Sequence, residues 1–263
     1  MKRKVRFLKE PWIPNSDIAL AAVSGTYQKI VGALESMGIN TVQLPKYPEI
    51  APPVQTHADM LIYLLEKEKI LVPPSFVKFL TKEGNRFLRL FSLCESISIF
   101  SSHYPHDVAL NVLRIRDLLF CRPDSTAPEI KRFCMDQGIT IIPVHQGYTR
   151  CSCAIIDKNS IITADLDICR KAQKYGIDVL NITPGGILLP GYDYGFIGGC
   201  CGLVGTHKMI FTGALESHPD GRKMKQWIEK KGVEVIELSR GPLLDIGGIV
   251  PLLEYEPKIL QEA

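Results

Sequence analysis

The chain has 263 residues, 46% hydrophobic and 22% charged, a globular composition large enough to bury a sizeable core without disulfide or metal staples. Lys and Arg number 31 against 28 Asp and Glu, and this near balance, a net charge of +3, lacks the basic excess of a nucleic-acid binder. Eight cysteines with no Cys-x-x-Cys pair read as buried free thiols of a reducing compartment, not as disulfides or zinc ligands.

Lys2, Arg3, Lys4, Arg6 and Lys9 crowd the start of the chain, and they read as a solvated strand or tail. No apolar signal-peptide core follows them, and no uninterrupted apolar run approaches the ~18 residues of a membrane span, so a cytoplasmic protein is expected. Residues 18–25 (IALAAVSG) form an apolar strand candidate. Residues 29–44 (KIVGALESMGINTVQL) then introduce a phrase that recurs: an amphipathic helix, a glycine and a β-branched strand. Pro-rich residues 44–53 are a surface connector that carries Tyr47.

Two short apolar runs joined by the charged turn Glu66-Lys67-Glu68-Lys69 predict a hairpin over 59–75. Residues 75–91 repeat the helix–glycine phrase in degenerate form around Gly84. The same alternation continues with a hairpin over 107–123, a helix–strand pair over 129–144, a hairpin over 151–165 and a helix–strand pair over 168–182. A Gly-rich pair of runs over 195–214 and a helix–strand pair over 223–238 follow. Gly38, Gly138, Gly176 and Gly232 each fall where a left-handed C-cap would end the helix.

Only one run, 242–255, remains at the end, and 18–25 supplies its missing partner if the termini meet. Closure removes exposed sheet edges, which is the physical reason to expect it. The prediction is one α/β domain over 1–263: a five-fold pseudo-symmetric α/β propeller of ββαβ-type repeats around a central pocket.

Four motifs tie this pattern to a family: Gln55-Thr56-His57-Ala58-Asp59-Met60, Gly198-Gly199-Cys200-Cys201-Gly202, Ser217-His218-Pro219-Asp220, and Gly241-Pro242-Leu243-Leu244-Asp245-Ile246-Gly247-Gly248. With the five units, the chain resembles the pentein fold of the guanidine-modifying enzymes, and within it an uncharacterised bacterial family. The resemblance implies hydrolase or transferase chemistry on a C–N bond of a guanidino compound. Working members use a cysteine thiolate from the last repeat and a His-x-Asp or His-x-Glu pair from the third, with carboxylates gripping the guanidinium. Those residue types suit the task, since a thiolate is nucleophilic, an imidazole titrates near neutral pH and a carboxylate matches a planar guanidinium.

The chain departs from that pattern twice. No cysteine follows Cys201, so residues 245–251 of the last repeat hold no nucleophile. In the third repeat, hairpin alignment sets Tyr148 opposite His57 and Arg150 opposite Asp59, so the His-x-Asp pair lies in the first repeat.

The same alignment makes Asp59, Asp107 and Asp245 strand starts, with His57 on the same strand face as Asp59. The candidate catalytic residues are therefore His57 and Asp59, with Cys200 or Cys201 as a relocated nucleophile. Neighbouring strand residues face opposite sides, so only one of these thiols would point inward. Asp107, Tyr148, Arg150, His218 and Asp245 are candidate ligand contacts. Alternatively Arg150 neutralises the acids as a salt-bridge hub, or the acids merely pin strand starts while the histidines sit on loops.

The expected partner is a small, cationic guanidino or amine ligand in an acidic pocket. A non-catalytic scaffold is a second reading, since a ribosome anti-association factor shares the fold. Metal-assisted hydrolysis at His57, Asp59, His103, His106 and Asp107 is a third. The glycines at 195–205 lack the order of a dinucleotide site, no phosphate loop occurs, and no cofactor is expected. Nothing in the sequence sets an oligomeric state.

Overall fold

A computed structural model describes residues 3–82 and 86–257. Its N-terminal strand β1 (Val5–Phe7) is followed by β2 (Ile18–Ser24), α1 (Gln28–Ser36) and β3 (Asn40–Leu44). Four units then follow in one pattern, a hairpin, a helix and a third strand. The first contains α2 (Ala58–Leu61), β4 (Tyr63–Glu66), β5 (Lys69–Val72), α3 (Val77–Lys82) and β6 (Ser92–Glu95). The second contains β7 (Leu113–Ile115), β8 (Leu118–Cys121), α4 (Pro128–Asp136) and β9 (Thr140–Pro143). The third contains β10 (Cys153–Asp157), β11 (Ser160–Thr163), α5 (Leu166–Lys174) and β12 (Asp178–Asn181). The fourth contains β13 (Cys201–Gly205), β14 (Lys208–Phe211), α6 (Gly221–Lys230) and β15 (Glu234–Glu237), and β16 (Val250–Tyr255) is the last described element.

These strands form five small sheets. In four of them the hairpin is antiparallel and the third strand joins the second in parallel. The fifth is assembled from both ends of the chain, with β16 between β1 and β2 and antiparallel to each. Val250 pairs with Ala22, so residues 18–25 do supply the missing strand and the ring closes. The fold is the predicted five-fold α/β propeller.

Burial follows from the layering. The middle strand of each sheet lies between a helix and its neighbours, and β2, β8 and β11 are buried at every residue. Such strands read as continuous apolar runs because both faces are covered. Helices α1, α4, α5 and α6 each bury one apolar stripe, such as Met224 and Ile228 of α6.

Four helices end alike. Gly38, Gly138, Gly176 and Gly232 have φ between +68° and +80°, with nothing near an added Cβ, so the backbone angle alone asks for glycine. The next residue's N–H then bonds five residues back: Ile39 to Leu34, Ile139 to Cys134, Ile177 to Ala172 and Val233 to Ile228. Gly84, the fifth predicted cap, lies outside the described residues. The strand of that copy starts later than 75–91 implies, because Arg86–Leu90 forms a 3₁₀ turn before β6. The tighter turn carries Leu88 and Phe91, three apart, into the core.

The basic N-terminus is partly spent on closure. Arg6 Nε lies 2.7 Å from buried Glu254 and the Arg3 guanidinium covers the Tyr255 ring, while Lys2 lies outside the described residues. Among the described residues no helix is long and apolar enough to cross a membrane.

Candidate functional site

Segments ahead of the hairpins of the first, third and fourth units and the turn before β16 meet at one cavity of about 230 Å³. Its wall takes Val54, His57 and Met60 from the first unit, Tyr148 and Cys151 from the third, and Asp245 from ahead of β16. Leu189, Tyr192, Asp193, Tyr194 and Phe196, from the loop between β12 and β13, complete it.

Asp59, Asp107 and Asp245 do not start strands, contrary to the alignment. Asp59 is in the short helix α2, with His57 at its N-cap, and Asp107 and Asp245 lie in loops five or more residues ahead of β7 and β16. Period-2 reasoning therefore does not relate His57 to Asp59. What holds them is the Asp245 loop: the Asp59 N–H donates to Gly247 O at 3.1 Å, and a Cβ on Gly247 would fall 2.3 Å from His57 Cβ. Asp245 is anchored by the N–H groups of Phe196 and Gly247, at 2.9 and 3.0 Å. His57 Nδ1 stands 3.7 Å from Asp245 Oδ1, both residues 1% exposed.

The Gly-rich motif explains the closeness. A Cβ on Gly199 would lie 1.9 Å from Asp245 Oδ1, and one on Gly198 would strike the Cys153, Arg150 and Cys151 carbonyls. These glycines are spaces for Asp245 and the third repeat.

Cys200 and Cys201 do not face opposite ways, because Cys200 closes a 3₁₀ turn instead of sitting in the strand. Both thiols donate to Ile197 O at 3.1 Å, neither lines the cavity, and burial pushes the Cys200 thiol well above the ordinary value. The thiol in the cavity wall is Cys151, which the alignment passed over by one residue. Its Sγ donates to Asp59 Oδ2 at 2.9 Å. Asn111, fully buried, donates to the same sulfur at 2.9 Å and accepts from the Arg150 and Cys151 N–H groups at 2.9 and 3.1 Å. A lone Asn inside the apolar run of 108–113 was the available signal for this second contact.

Arg150 acts on the acids only at a distance, its charge working to lower Asp59. Asn111 fixes its backbone, and its side chain lies over the Trp12 ring at 4.4 Å and donates to Cys153 O at 2.8 Å. Among the described residues it forms no ion pair with a carboxylate. Tyr148 donates to Asp107 Oδ2 at 2.5 Å, and its ring continues an aromatic row through Phe196 to Tyr194.

Burial governs the titration. Asp59 and Asp107 are raised above the usual carboxylate value mainly by loss of water; around Asp59 the charges of His57 and Arg150 oppose the rise and that of Asp245 adds to it. The Cys151 thiol is pushed well up by burial, then by the charges of Asp59 and Asp245. His57 Nε2, Asp59 Oδ1 and Asp107 Oδ1 are buried without a hydrogen-bond partner.

Other candidates lie elsewhere. His218 borders a neighbouring cavity of about 110 Å³, where its Nδ1 accepts from the Asp220 N–H. Tyr47 is buried and donates to Pro74 O, while His103 and His106 are exposed. Among the described residues no three His, Cys, Asp or Glu side chains come together as a metal site.

A ring of five small mixed sheets with flanking helices is a pentein fold. The chain belongs to the family of unknown function DUF6873, whose model matches residues 22–250. Its structure is similar to a mutant DDAH from Pseudomonas aeruginosa complexed with citrulline, with a TM-score of 0.54 at 9% identity over 91% of this chain and 100% of that one. It is similar also to the inosamine-phosphate amidinotransferase of Streptomyces griseus, with a TM-score of 0.57 at 12% identity over 90% of this chain and 92% of that one. Against the agmatine deiminase of C. jejuni the TM-score is 0.54 at 10% identity, over 97% and 98% of the two chains. At such identities the likeness is one of fold. Among curated proteins no match to the sequence is found.

Proposed function

We propose that the cavity binds a small cationic ligand carrying a guanidino or amino group, and that Cys151 is the group able to modify it. The observation that carries the reading is the set of buried groups on one cavity: Asp245, His57 with its unpartnered Nε2, and Cys151 bonded to Asp59. Burying two carboxylates beside a single imidazole is costly, and a cation arriving from solvent adds charge of the favourable sign. The fold shared with DDAH, an amidinotransferase and agmatine deiminase supports the same ligand chemistry.

The raised thiol value fits turnover that waits for its ligand. A guanidinium beside Asp59 and Asp245 offsets the charges that hold the thiol protonated, and Asp59 is 2.9 Å away to take the proton. The thiolate sulfur then bonds to the guanidinium carbon. The C–N bond to the departing nitrogen breaks as that nitrogen takes a proton from His57, leaving an amidino group on Cys151 for water or an amine to remove. In this reading His57 belongs to the first repeat and Cys151 to the third. The pentein pattern takes them from the third and the last, so the two-repeat separation is the same.

Binding without turnover is the second reading, favoured by the burial of Cys151, which pushes its thiol up and keeps it protonated. The test is thermal denaturation with agmatine, arginine, butylguanidine and 1,4-diaminobutane, followed by mass spectrometry of the protein. A ligand at 100 times its dissociation constant adds about 2.7 kcal/mol of stability. Stabilisation with a mass adduct that Cys151→Ser abolishes supports catalysis, and stabilisation alone supports the binder. Silence from every compound refutes both.

A further inference from the structure

Among the described residues the wall of the cavity contains no lysine and no arginine. Its floor is Asp245, 1% exposed, with Asp59 behind Cys151 and Asp107 behind Tyr148. Arg150, the basic side chain next to Cys151 in sequence, is committed to Trp12 and to Cys153 O. Among the described residues His57 is the one basic side chain in the wall and its Nδ1 faces Asp245, so a ligand carboxylate would enter a mostly acidic chamber with no lysine or arginine to receive it.

The mouth carries a second acid. Asp193 lines the same cavity, is exposed, and among the described residues forms no hydrogen bond or ion pair. Tyr192 and Tyr194 flank it, 46% and 45% exposed, and both also line the cavity. Aromatic faces next to a free carboxylate suit an ammonium or guanidinium group at the water boundary.

The loop is held firmly against the floor. Leu188 pairs with Leu244, the Asp245 N–H donates to Leu188 O at 2.8 Å, and the Phe196 N–H donates to Asp245 itself. The acid at the mouth and the acid at the floor thus belong to one bonded assembly.

From these features we infer that the ligand is a linear dication without a carboxylate, an amino-guanidine or diamine. One cationic end meets Asp245 beside His57, and the other meets Asp193 between Tyr192 and Tyr194. The inference rests on the cationic-ligand reading above and narrows it to a substrate class. It assigns a binding role to Asp193, Tyr192 and Tyr194.

Calorimetric titration of the full chain with four probes tests it. Agmatine has a cation at each end, butylguanidine has one, 1,4-diaminobutane has two amines, and arginine adds a carboxylate to the agmatine skeleton. Agmatine is expected to bind more tightly than butylguanidine, and arginine at least about tenfold more weakly than agmatine, because its carboxylate must be desolvated unpaired. Asp193→Asn, at an exposed site that does not support the core, is expected to weaken agmatine about fivefold, the scale of an exposed charge pair. It should leave butylguanidine unchanged. Arginine binding as tightly as agmatine, or Asp193→Asn weakening butylguanidine and agmatine alike or weakening neither, overturns the dication while the cationic-ligand reading stands. No binding by any of the four probes overturns both.

Discussion

Cys151 and Asp59 form the pair on which the proposed chemistry turns, and their burial has a measurable sign. Asp59 is raised from 3.8 by desolvation, so the folded protein keeps a proton that the unfolded chain has released. Folded stability from this group is therefore complete below about pH 4 and declines as pH rises through the raised value. Asp59→Asn should lose that decline, and the difference in melting temperature between variant and native protein should widen in the variant's favour toward neutral pH. Parallel melting curves at every pH would contradict it. Ligand stabilisation should follow the opposite course, growing with pH as the carboxylate ionises. A second expectation concerns reactivity: Cys151 should resist iodoacetamide at pH 7 in the native protein, because only a thiolate is alkylated. Peptide mass mapping after timed exposure reads it, and rapid labelling of Cys151 would show a thiol far more acidic than its surroundings allow.

At the scale of elements, two glycines distinguish support of the site from support of the fold. Gly176 ends α5 with φ +74° in open space, so Gly176→Ala should cost about 1–2 kcal/mol through the left-handed backbone and leave ligand binding intact. Gly199 is the reverse case. A methyl group there collides with Asp245 Oδ1, so Gly199→Ala should cost about 1–3 kcal/mol and also weaken binding by displacing the carboxylate. Equal effects of the two variants on binding would contradict this division. The contrast also marks what sequence could reveal. The helix–Gly–strand phrases were legible because a left-handed cap and a 3.6-residue stripe are local and periodic. The site was only half legible: His57, Asp59 and Asp245 stood out by type and motif. Their loops are irregular, and strand periodicity carries no information about α2 or the turn before β16. Cys151 was missed for the same reason, since a thiol in an apolar run looks like any core cysteine until Asp59 and Asn111 are brought to it from 92 and 40 residues away.

The whole molecule depends on its ends. β16 lies between β1 and β2, and Glu254 receives Arg6 together with the N–H groups of Asn15 and Ser16. Residues more than 230 positions apart must meet before the first and last sheet elements exist. Removing residues 250–263 should leave β2 with an open edge and the Asp245 loop without its continuation, so cooperative thermal unfolding should be lost and not merely shifted. A truncated chain that melts sharply would show that the ring does not need closure. Closure was foreseen from a counting argument, one strand short at the end and one spare at the start. The direction of Arg150 toward Trp12 was not, because that contact joins the loop ahead of β2 to the third repeat.

Calorimetric titration of agmatine into the native protein and Asp245→Asn, with melting curves to establish that the variant is folded, tests most directly whether the ring's centre is a cation site. Saturable one-to-one binding that falls about tenfold or more in the variant is predicted, as expected for loss of a charged hydrogen-bond partner. Undiminished binding by Asp245→Asn, or none by the native protein, would contradict it.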